Sequence, residues 1–484
     1  MADFDAVVIG GGITGAGVLR DLALRGLNAV LLERGEPGMA TTASSTHLIH
    51  GGLRYLLYDR PTTHATCWDS GNIRRIAAPL LTRMPIVWPV YRGHSHGLET
   101  VETLLESYDS FQRMKQGLPH LRLSAPATLR LFPGLSREGL LGSVAFDEWW
   151  VDAASLVREN LGSARRAGAQ VRAGERVVGL LRDKGRVAGV RVRTAEGRTE
   201  ELSSSVVVNA AGPWAAEVAE MAGERIPLRL RKGSHLVYEG ESPLLFGESL
   251  RAAPSGSGAR PPFEDRAPMR AGQLLEAVDR GRYVFIIPGV GKTLLGPTEV
   301  EARSSERPEA SPEEVRYLLS SARRYFKDFP ERFSRSTAGM RPILGQDGSE
   351  KLLSREYAVL DHAARGDSPG MISVVGGKMS DFRLMAQDAS DAVCGFLGRG
   401  SACRTHLLTL SGESVGDIPD WPRPWRPLKN FLRAHPRLRE LHALAYLGAG
   451  LARHGARRAL GLAPESDEND FLAHYGRETG APRT

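Results

Sequence analysis

Residues Phe4 to Glu33, FDAVVIGGGITGAGVLRDLALRGLNAVLLE, leave this chain few ways to fold. The run Ala6-Val7-Val8-Ile9 has the pattern of a strand buried on both faces. It breaks into Gly10-Gly11-Gly12-Ile13-Thr14-Gly15, a G-x-G-x-x-G turn. Gly10 permits the tight turn, Gly12 lets a pyrophosphate approach the backbone, and Gly15 lets the next helix sit close to the strand. The spacing predicts that helix from about Thr14 to Arg25, with Ile13, Ala16, Gly17 and Leu24 on one face. Its free N–H groups would face the pyrophosphate. A second apolar run, Ala29 to Leu32, ends at Glu33, an acid placed to accept bonds from ribose hydroxyls. Strand, glycines, helix, strand and acid in this order point to a bound dinucleotide over an ordinary turn. The motif alone leaves FAD and NAD both open.

At 484 residues the chain is too long for one core, so two or three domains are expected. No apolar run approaches the ~20 residues that span a bilayer. No basic stretch followed by an apolar one opens the sequence, so no signal peptide is expected and the chain reads as cytoplasmic. Cys67, Cys394 and Cys403 are scattered without a C-x-x-C, so no metal or iron–sulfur cluster signature appears. The formal charge of +7 is unevenly placed. Trp421 to Ala463 holds nine Lys/Arg and one acid, which leaves the rest of the chain at −1.

After Glu33 comes a Gly/Ser/Thr-rich stretch, EPGMATTASSTHLIHGGLRYLL, from Glu36 to Leu57. Small hydroxyl residues beside a pyrophosphate site suit contact with a bulky cofactor, although a surface loop has the same composition. His50, Arg54 and Tyr55 form a polar cluster within it. Further along lie VVVNAAGPWA (206–215), RKGSHLV (231–237), AGMRPIL (338–344) and VVGGKMSDFRLMAQDA (374–389). These islands, in this order after the glycine turn, resemble the flavin-linked glycerol-3-phosphate dehydrogenases, within the larger family of FAD-dependent amine and hydroxy-acid oxidoreductases. The resemblance covers about Asp3 to Leu397. LIHGGLRYL and KGSH carry most of its specificity.

The resemblance implies an α/β fold: a Rossmann-like FAD-binding domain (1–90, 150–226 and 336–400), an inserted mixed antiparallel-sheet substrate domain (91–149 and 227–335) and a C-terminal helical, basic segment (401–484). Residues 67–118 read as mixed, mostly helical, and Trp149 to Asp152 opens a helix to about Ala167 that Asp152 can cap. Val171 to Val192 reads as strands. Leu228–Tyr238 and Tyr283–Thr298 read as strands of a sheet over the flavin. Between them, Glu239 to Gln273 has a flexible composition around PSGSGARPP. Helices are expected over Ser311–Phe329 and Met379–Phe396.

The implied reaction is oxidation of sn-glycerol 3-phosphate to dihydroxyacetone phosphate, with hydride passing to flavin N5. That chemistry needs a base for the hydroxyl proton, stabilisation of developing charge, and cations for a dianionic phosphate. By the resemblance, Arg54 and Arg341 anchor phosphate and hydroxyls, with Tyr55 and Ser380 beside them. His235 is the first choice of base and His50 the second. Lys378, behind two glycines at a helix start, would favour negative charge at the flavin or substrate. Cofactor contacts are implied for Gly10, Gly12, Ile13, Thr14, Gly15, Glu33 and Arg34 in the first unit. Thr42, Ser44, Ser45, His50 and Gly51 follow in the second, then Val178, Ala211, Gly212 and Trp214. Gly339, Gly377, Lys378, Met379 and Ser380 complete the set. Two departures bear on substrate. Gly296-Pro297-Thr298-Glu299 stands for the family's Gly-Thr-Thr-Asp, and Ser380-Asp381 for a Thr pair. A carboxylate at 381 facing inward would oppose phosphate.

The basic tail mixes Arg with Trp, Leu and Phe. It suits either an amphipathic helix on the inner face of an anionic membrane or a solvated helical domain. No nucleic-acid motif appears. Electrons would leave through a quinone, an electron-transfer subunit or oxygen. Rival readings are a flavoenzyme for another 2-hydroxy acid or an amine, and a flavin-binding protein without turnover.

Overall fold

The structure is a computed structural model that describes residues 2–56, 59–240, 270–302, 308–345, 357–364, 368–416, 435–461 and 465–476. The strand Phe4–Ile9 sits mid-sheet. It pairs in parallel with Ala29–Glu33 on one side and Thr199–Asn209 on the other, so that Val8 lies opposite both Leu31 and Val208. Gln170–Ala173 and Met371–Gly376 extend the parallel order, and Tyr357–Asp361 adds an antiparallel edge. Its central strands read as unbroken apolar runs because both faces are covered. Helices Ile13–Leu24, Ala153–Arg166 and Phe382–Leu397 share a core on one face, and the Arg176–Asp183/Arg186–Arg193 hairpin and helix Ala215–Glu220 cover the other. The first helix is therefore buried on all sides, including Arg20 and Asp21. The expected cap holds: Asp152 accepts the Ser155 N–H at 3.0 Å.

A ten-stranded, mostly antiparallel sheet forms the second layer system. Its order is Val300–Ala302, Leu228–Glu239, Lys292–Gly296, Tyr283–Gly289, Gly272–Glu276, Leu81–Tyr91, Leu140–Val151 and Leu48–Ile49. Arg335–Leu344 pairs with Leu228–Glu239, and Leu121–Ser124 with Leu140–Val151. This changes two expectations. Residues 67–118 are not mostly helical: helices Arg60–Ile76 and Leu98–Asp109 flank the strand Leu81–Tyr91. Pro85 and Pro89 argue against a strand from sequence, yet they lie opposite Asp147 and Ser143 in a long ladder. The helix from Ser311 stops at Arg323. Strand pairing places 48–49, 81–90, 150–151 and 336–344 in the second sheet.

The tail contacts both layer systems. Arg20 donates to the carbonyls of Thr405 (3.1 Å) and Leu408 (2.7 Å), binding residues past 400 to the first helix. Helix Pro436–Ala459 packs on the acidic helix Leu98–Asp109, where His454 meets Glu102 and Arg457 meets Glu106. Part of the basic surplus is thus balanced within the chain. Leu438, Leu441, Leu444 and Leu460 stay exposed. Among the described residues no helix is long and apolar enough to cross a membrane. The excursion at 241–269 and the tail residues 417–434 lie outside the described residues. Helix Glu468–Tyr475 seals the second sheet with Phe471, which is fully buried, and Tyr475, whose hydroxyl donates to the carbonyls of Pro119 (3.0 Å) and Ala145 (3.1 Å). Phe471→Ala is expected to destabilise the protein by about 3–5 kcal/mol, measured by urea unfolding. An unchanged midpoint would detach this helix from the core.

Candidate active site

The parallel strands end together at the glycine turn. Ala210 N donates to Ile9 O at 2.9 Å, so the Asn209-Ala210-Ala211 strand end abuts Gly10. A Cβ on Gly10 would stand 2.6 Å from Ala210 O, and Gly10 has φ +106°, so this position requires glycine. A Cβ on Gly15 would run into the Gly10 carbonyl. Gly12 differs: within 4 Å its added Cβ would meet only Thr42 Oγ1, at 3.5 Å. Gly12 is also the N-cap of the first helix and offers no side-chain cap. The space over that helix start is therefore open, which fits a pyrophosphate. Thr42 Oγ1 accepts the Ile13 N–H at 3.2 Å and fixes the neighbouring loop there.

Glu33 accepts the N–H groups of Gly11 (2.6 Å) and Gly35 (2.9 Å), so it holds the turn directly. The Arg34 guanidinium stacks 4.0 Å over the Trp214 ring, joining two candidates that follow the strands on either side of Phe4–Ile9. Ala211 and Gly212 lie half-buried beside them. Val178 sits at a register shift in its hairpin, between Val177 and Gly179.

The remaining candidates come together through linked contacts. Thr41 Oγ1 donates to Met340 O at 2.8 Å, and a Cβ on Gly339 would be 2.8 Å from Ser44 Cβ. Ser45 Oγ accepts the His47 N–H at 3.2 Å. Arg341 donates to Thr298 O at 3.4 Å, and the adjacent Glu299 faces the Arg54 guanidinium at 3.8 Å. Beside Arg54, Tyr55 has Lys378 Nζ 4.9 Å from its ring centre. Lys378 Nζ also donates to Thr66 Oγ1 at 3.0 Å and pairs with Asp381 at 3.2 Å. Burial alone would weaken the proton affinity of Lys378, but the Asp381 carboxylate raises it, so the ammonium persists. Asp381 is thus committed to Lys378, and it also accepts the Lys378 backbone N–H. Gly377 is held at φ +83° against Met385, and Met379 packs on the core of the parallel sheet.

Ser380 is fully buried and its Oγ accepts the His50 N–H at 3.0 Å, so it holds the His50 backbone. His235 is only 1% exposed, and its Nε2 lies 3.2 Å from Thr46 Oγ1. Its Nδ1 is buried with no hydrogen-bond partner among the described residues, the kind of atom a bound group or a proton would satisfy.

Burial, then the charges of Arg341 and His47, hold the His235 imidazole down to about 3. His47, buried and beside Lys292, is held down to about 4. Both are neutral in the fold but take protons once unfolded, below the ordinary value of 6.5. The unfolded chain then binds more protons, so stability is complete above pH 6.5 and is lost as pH falls toward 4 and 3. Between pH 7 and about pH 5 the pair is expected to cost on the order of 3–4 kcal/mol. Urea midpoints at the two pH values measure this, and His235→Gln should remove about half of the slope. An unchanged slope would exclude these imidazoles as its source.

Sequence reasoning missed a second tier. Lys115, fully buried, contacts Glu148 and the Asp147 carbonyl, while Tyr108 donates to Glu148 at 2.8 Å and Arg83 pairs with Asp147. Adjacent acids in the otherwise apolar run VAFDEWWV were the available signal. Ser234 (2.9 Å) and Thr298 (2.6 Å) donate to Glu314, which fastens the strand carrying His235 to the Thr298 turn.

The comparisons with known proteins agree with this geometry. A family model described as FAD dependent oxidoreductase matches residues 5–380. The chain is 31% identical over 420 residues, 84% of its own length and 70% of the other's, to a subunit of the anaerobic glycerol-3-phosphate dehydrogenase of Escherichia coli (strain K12). It is 29% identical over 431 residues (86% and 72%) to the aerobic glycerol-3-phosphate dehydrogenase of Staphylococcus saprophyticus. Its fold is similar to a crystal structure of the Bacillus halodurans glycerol-3-phosphate dehydrogenase complexed with FAD, with TM-score 0.63, 24% identity and coverage of 98% and 86%. With its glycine turn, paired sheets and a match over more than half its length, this chain belongs to the family of FAD-dependent oxidoreductases.

Proposed function

We propose that this enzyme oxidises sn-glycerol 3-phosphate to dihydroxyacetone phosphate and passes the electrons to a quinone or an electron-transfer subunit. The observation that supports the reading is the chain of contacts Arg341–Thr298, Glu299–Arg54 and Tyr55–Lys378, which runs through neighbouring residues and carries three cations. A dianionic phosphate needs such a set, and the arginines offer the fork that matches its oxygens. Arg54, with 71% of its side chain exposed, stands at the entrance. Glu299 holds it in the free protein and gives way to phosphate.

When bound, FAD supplies the two-electron acceptor for the hydride that leaves C2. Breaking C2–H and O–H forms the ketone, and the hydroxyl proton goes to His235 Nε2 through the Thr46 hydroxyl. His235 is neutral at physiological pH, so its lone pair is available, but the burial that keeps it neutral also weakens it as a base. Lys378 lends positive charge where negative charge grows. Asp381 tempers that charge, which leaves Arg54 and Arg341 the larger share of phosphate recognition. The exposed Leu438, Leu441 and Leu444 on a basic helix suit peripheral contact with an anionic membrane, where a quinone would be met.

Anaerobic titration of the FAD-loaded protein tests the reading. Glycerol 3-phosphate should bleach the flavin absorbance, whereas glycerol, 2-hydroxy acids and amines should not. Bleaching by one of those and not by glycerol 3-phosphate would move the enzyme to another substrate class. A yellow protein that none of them bleaches would make it a binding protein.

A further inference from the structure

Every backbone polar group of the tripeptide His50-Gly51-Gly52 is held. His50 N–H goes to Ser380 Oγ (3.0 Å), and His50 O receives Ser70 Oγ (3.1 Å). Gly51 N–H goes to Glu148 Oε2 (3.3 Å), and Gly51 O receives Cys67 Sγ (3.4 Å). Gly52 O receives the Tyr55 N–H (2.9 Å) and Thr63 Oγ1 (3.4 Å). Thr63, Cys67 and Ser70 fall at i, i+4 and i+7 on Arg60–Ile76, so one helix face serves all three residues. Gly51 has no room to shift, because a Cβ there would run into Tyr108 Oη and Cys67 Sγ. The Glu148 carboxylate is itself fixed by Tyr108 and Lys115. Burying such an ion pair is costly, and apolar side chains would hold the fold as well. The pair's other consequence is geometry, a fixed acceptor for Gly51.

The sixth group decides the chemistry of the imidazole. Gly52 N–H donates to His50 Nδ1 at 3.0 Å. A backbone N–H can only donate, so Nδ1 must be an acceptor, and the hydrogen of the neutral ring sits on Nε2. The geometry points to His50 as a fixed hydrogen-bond donor to the reacting oxygen, with Glu148 and Lys115 as positioning residues, and not as the base. This rests on the proposed alcohol oxidation. An Nε2–H cannot receive the hydroxyl proton, but its bond to the substrate oxygen strengthens as that oxygen gains negative charge. The proton is left to His235.

The tautomer can be read without substrate. In FAD-loaded protein with ¹⁵N-labelled histidine at about pH 8, where an imidazole is neutral, the signal lost in His50→Gln should show Nδ1 unprotonated and Nε2 protonated. A protonated Nδ1 would overturn the inference, whatever the substrate proves to be. In anaerobic flavin reduction by glycerol 3-phosphate, His50→Ala should slow the rate about 100-fold, and His50→Gln, which keeps an N–H donor, about tenfold or less. Equal losses in the two variants would instead make His50 the base. Glu148→Gln should speed amide exchange of residues 48–56 about tenfold with flavin still bound. Tyr108→Phe, which withdraws one bond from Glu148, should do the same to a lesser degree. Exchange unaltered in both variants would reject the positioning roles. Failure of glycerol 3-phosphate to reduce the wild-type flavin would sink the proposed reaction and leave the tautomer result standing.

Discussion

Gly15→Ala is expected to give colourless protein, and Gly12→Ala pale protein that still folds. The two substitutions add the same methyl group to one turn, but they meet different surroundings. At Gly15 the methyl would overlap the Gly10 carbonyl, a backbone atom that cannot yield without moving the turn off the Phe4–Ile9 strand. Helix and strand must separate, and the helix packs on two others in the core. Both flavin content and thermal stability should fall. At Gly12 the methyl touches only Thr42 Oγ1, at ordinary contact distance. The protein should keep its unfolding midpoint, while the methyl occupies the space over the helix N-terminus. Loss of close N–H contact with a pyrophosphate corresponds to about 10–100-fold weaker FAD binding. Flavin-to-protein ratios and unfolding midpoints measured together separate the two effects. A Gly12→Ala protein with full flavin content would mean that the pyrophosphate lies elsewhere.

The same turn shows why parts of this molecule were legible in its sequence. Glycine spacing, an apolar run and an acid report local requirements, so Phe4 to Glu33 reads correctly to within a residue or two. The strand Leu81–Tyr91 was not legible, because its prolines are tolerated only through ladders with Leu140–Val151 some sixty residues away. The acids Asp147 and Glu148 obscured that partner strand for a related reason. They are buried because Arg83 and Lys115 meet them there, and those partners come from other elements. The candidate site divides along the same line. Residue types were readable from motifs, and pairwise contacts link Arg341 to Thr298, Arg54 to Glu299 and Lys378 to Tyr55. Access was not readable: the burial of Ser380 and His235 depends on how the loops fold over them. Nor could sequence show that the tail helix Glu468–Tyr475 completes the second core, since eight residues carry little pattern of their own.

Arg341→Ala should lower kcat/KM for glycerol 3-phosphate by about 100- to 1,000-fold and leave the flavin bound. Arg341 lies on Arg335–Leu344, and its guanidinium rests on Gly233 of the paired strand, where any Cβ would collide with it. That bare backbone is what lets the guanidinium lie against the strand. Gly233→Ala should therefore mimic the loss, with the arginine present but displaced. Arg341→Lys should recover little, because a point charge on a flexible stem cannot reproduce two parallel bonds to phosphate. A non-phosphorylated polyol separates recognition from general damage. If Arg341 reads phosphate, its removal should cost the phosphorylated substrate far more than the plain polyol, and the ratio of their kcat/KM values should collapse. Arg341 also helps hold His235 neutral, so its loss should raise the proton affinity of that imidazole and move any pH limb it governs upward. Should both substrates lose equally, with the pH profile fixed, Arg341 would be supporting the strand and not the phosphate.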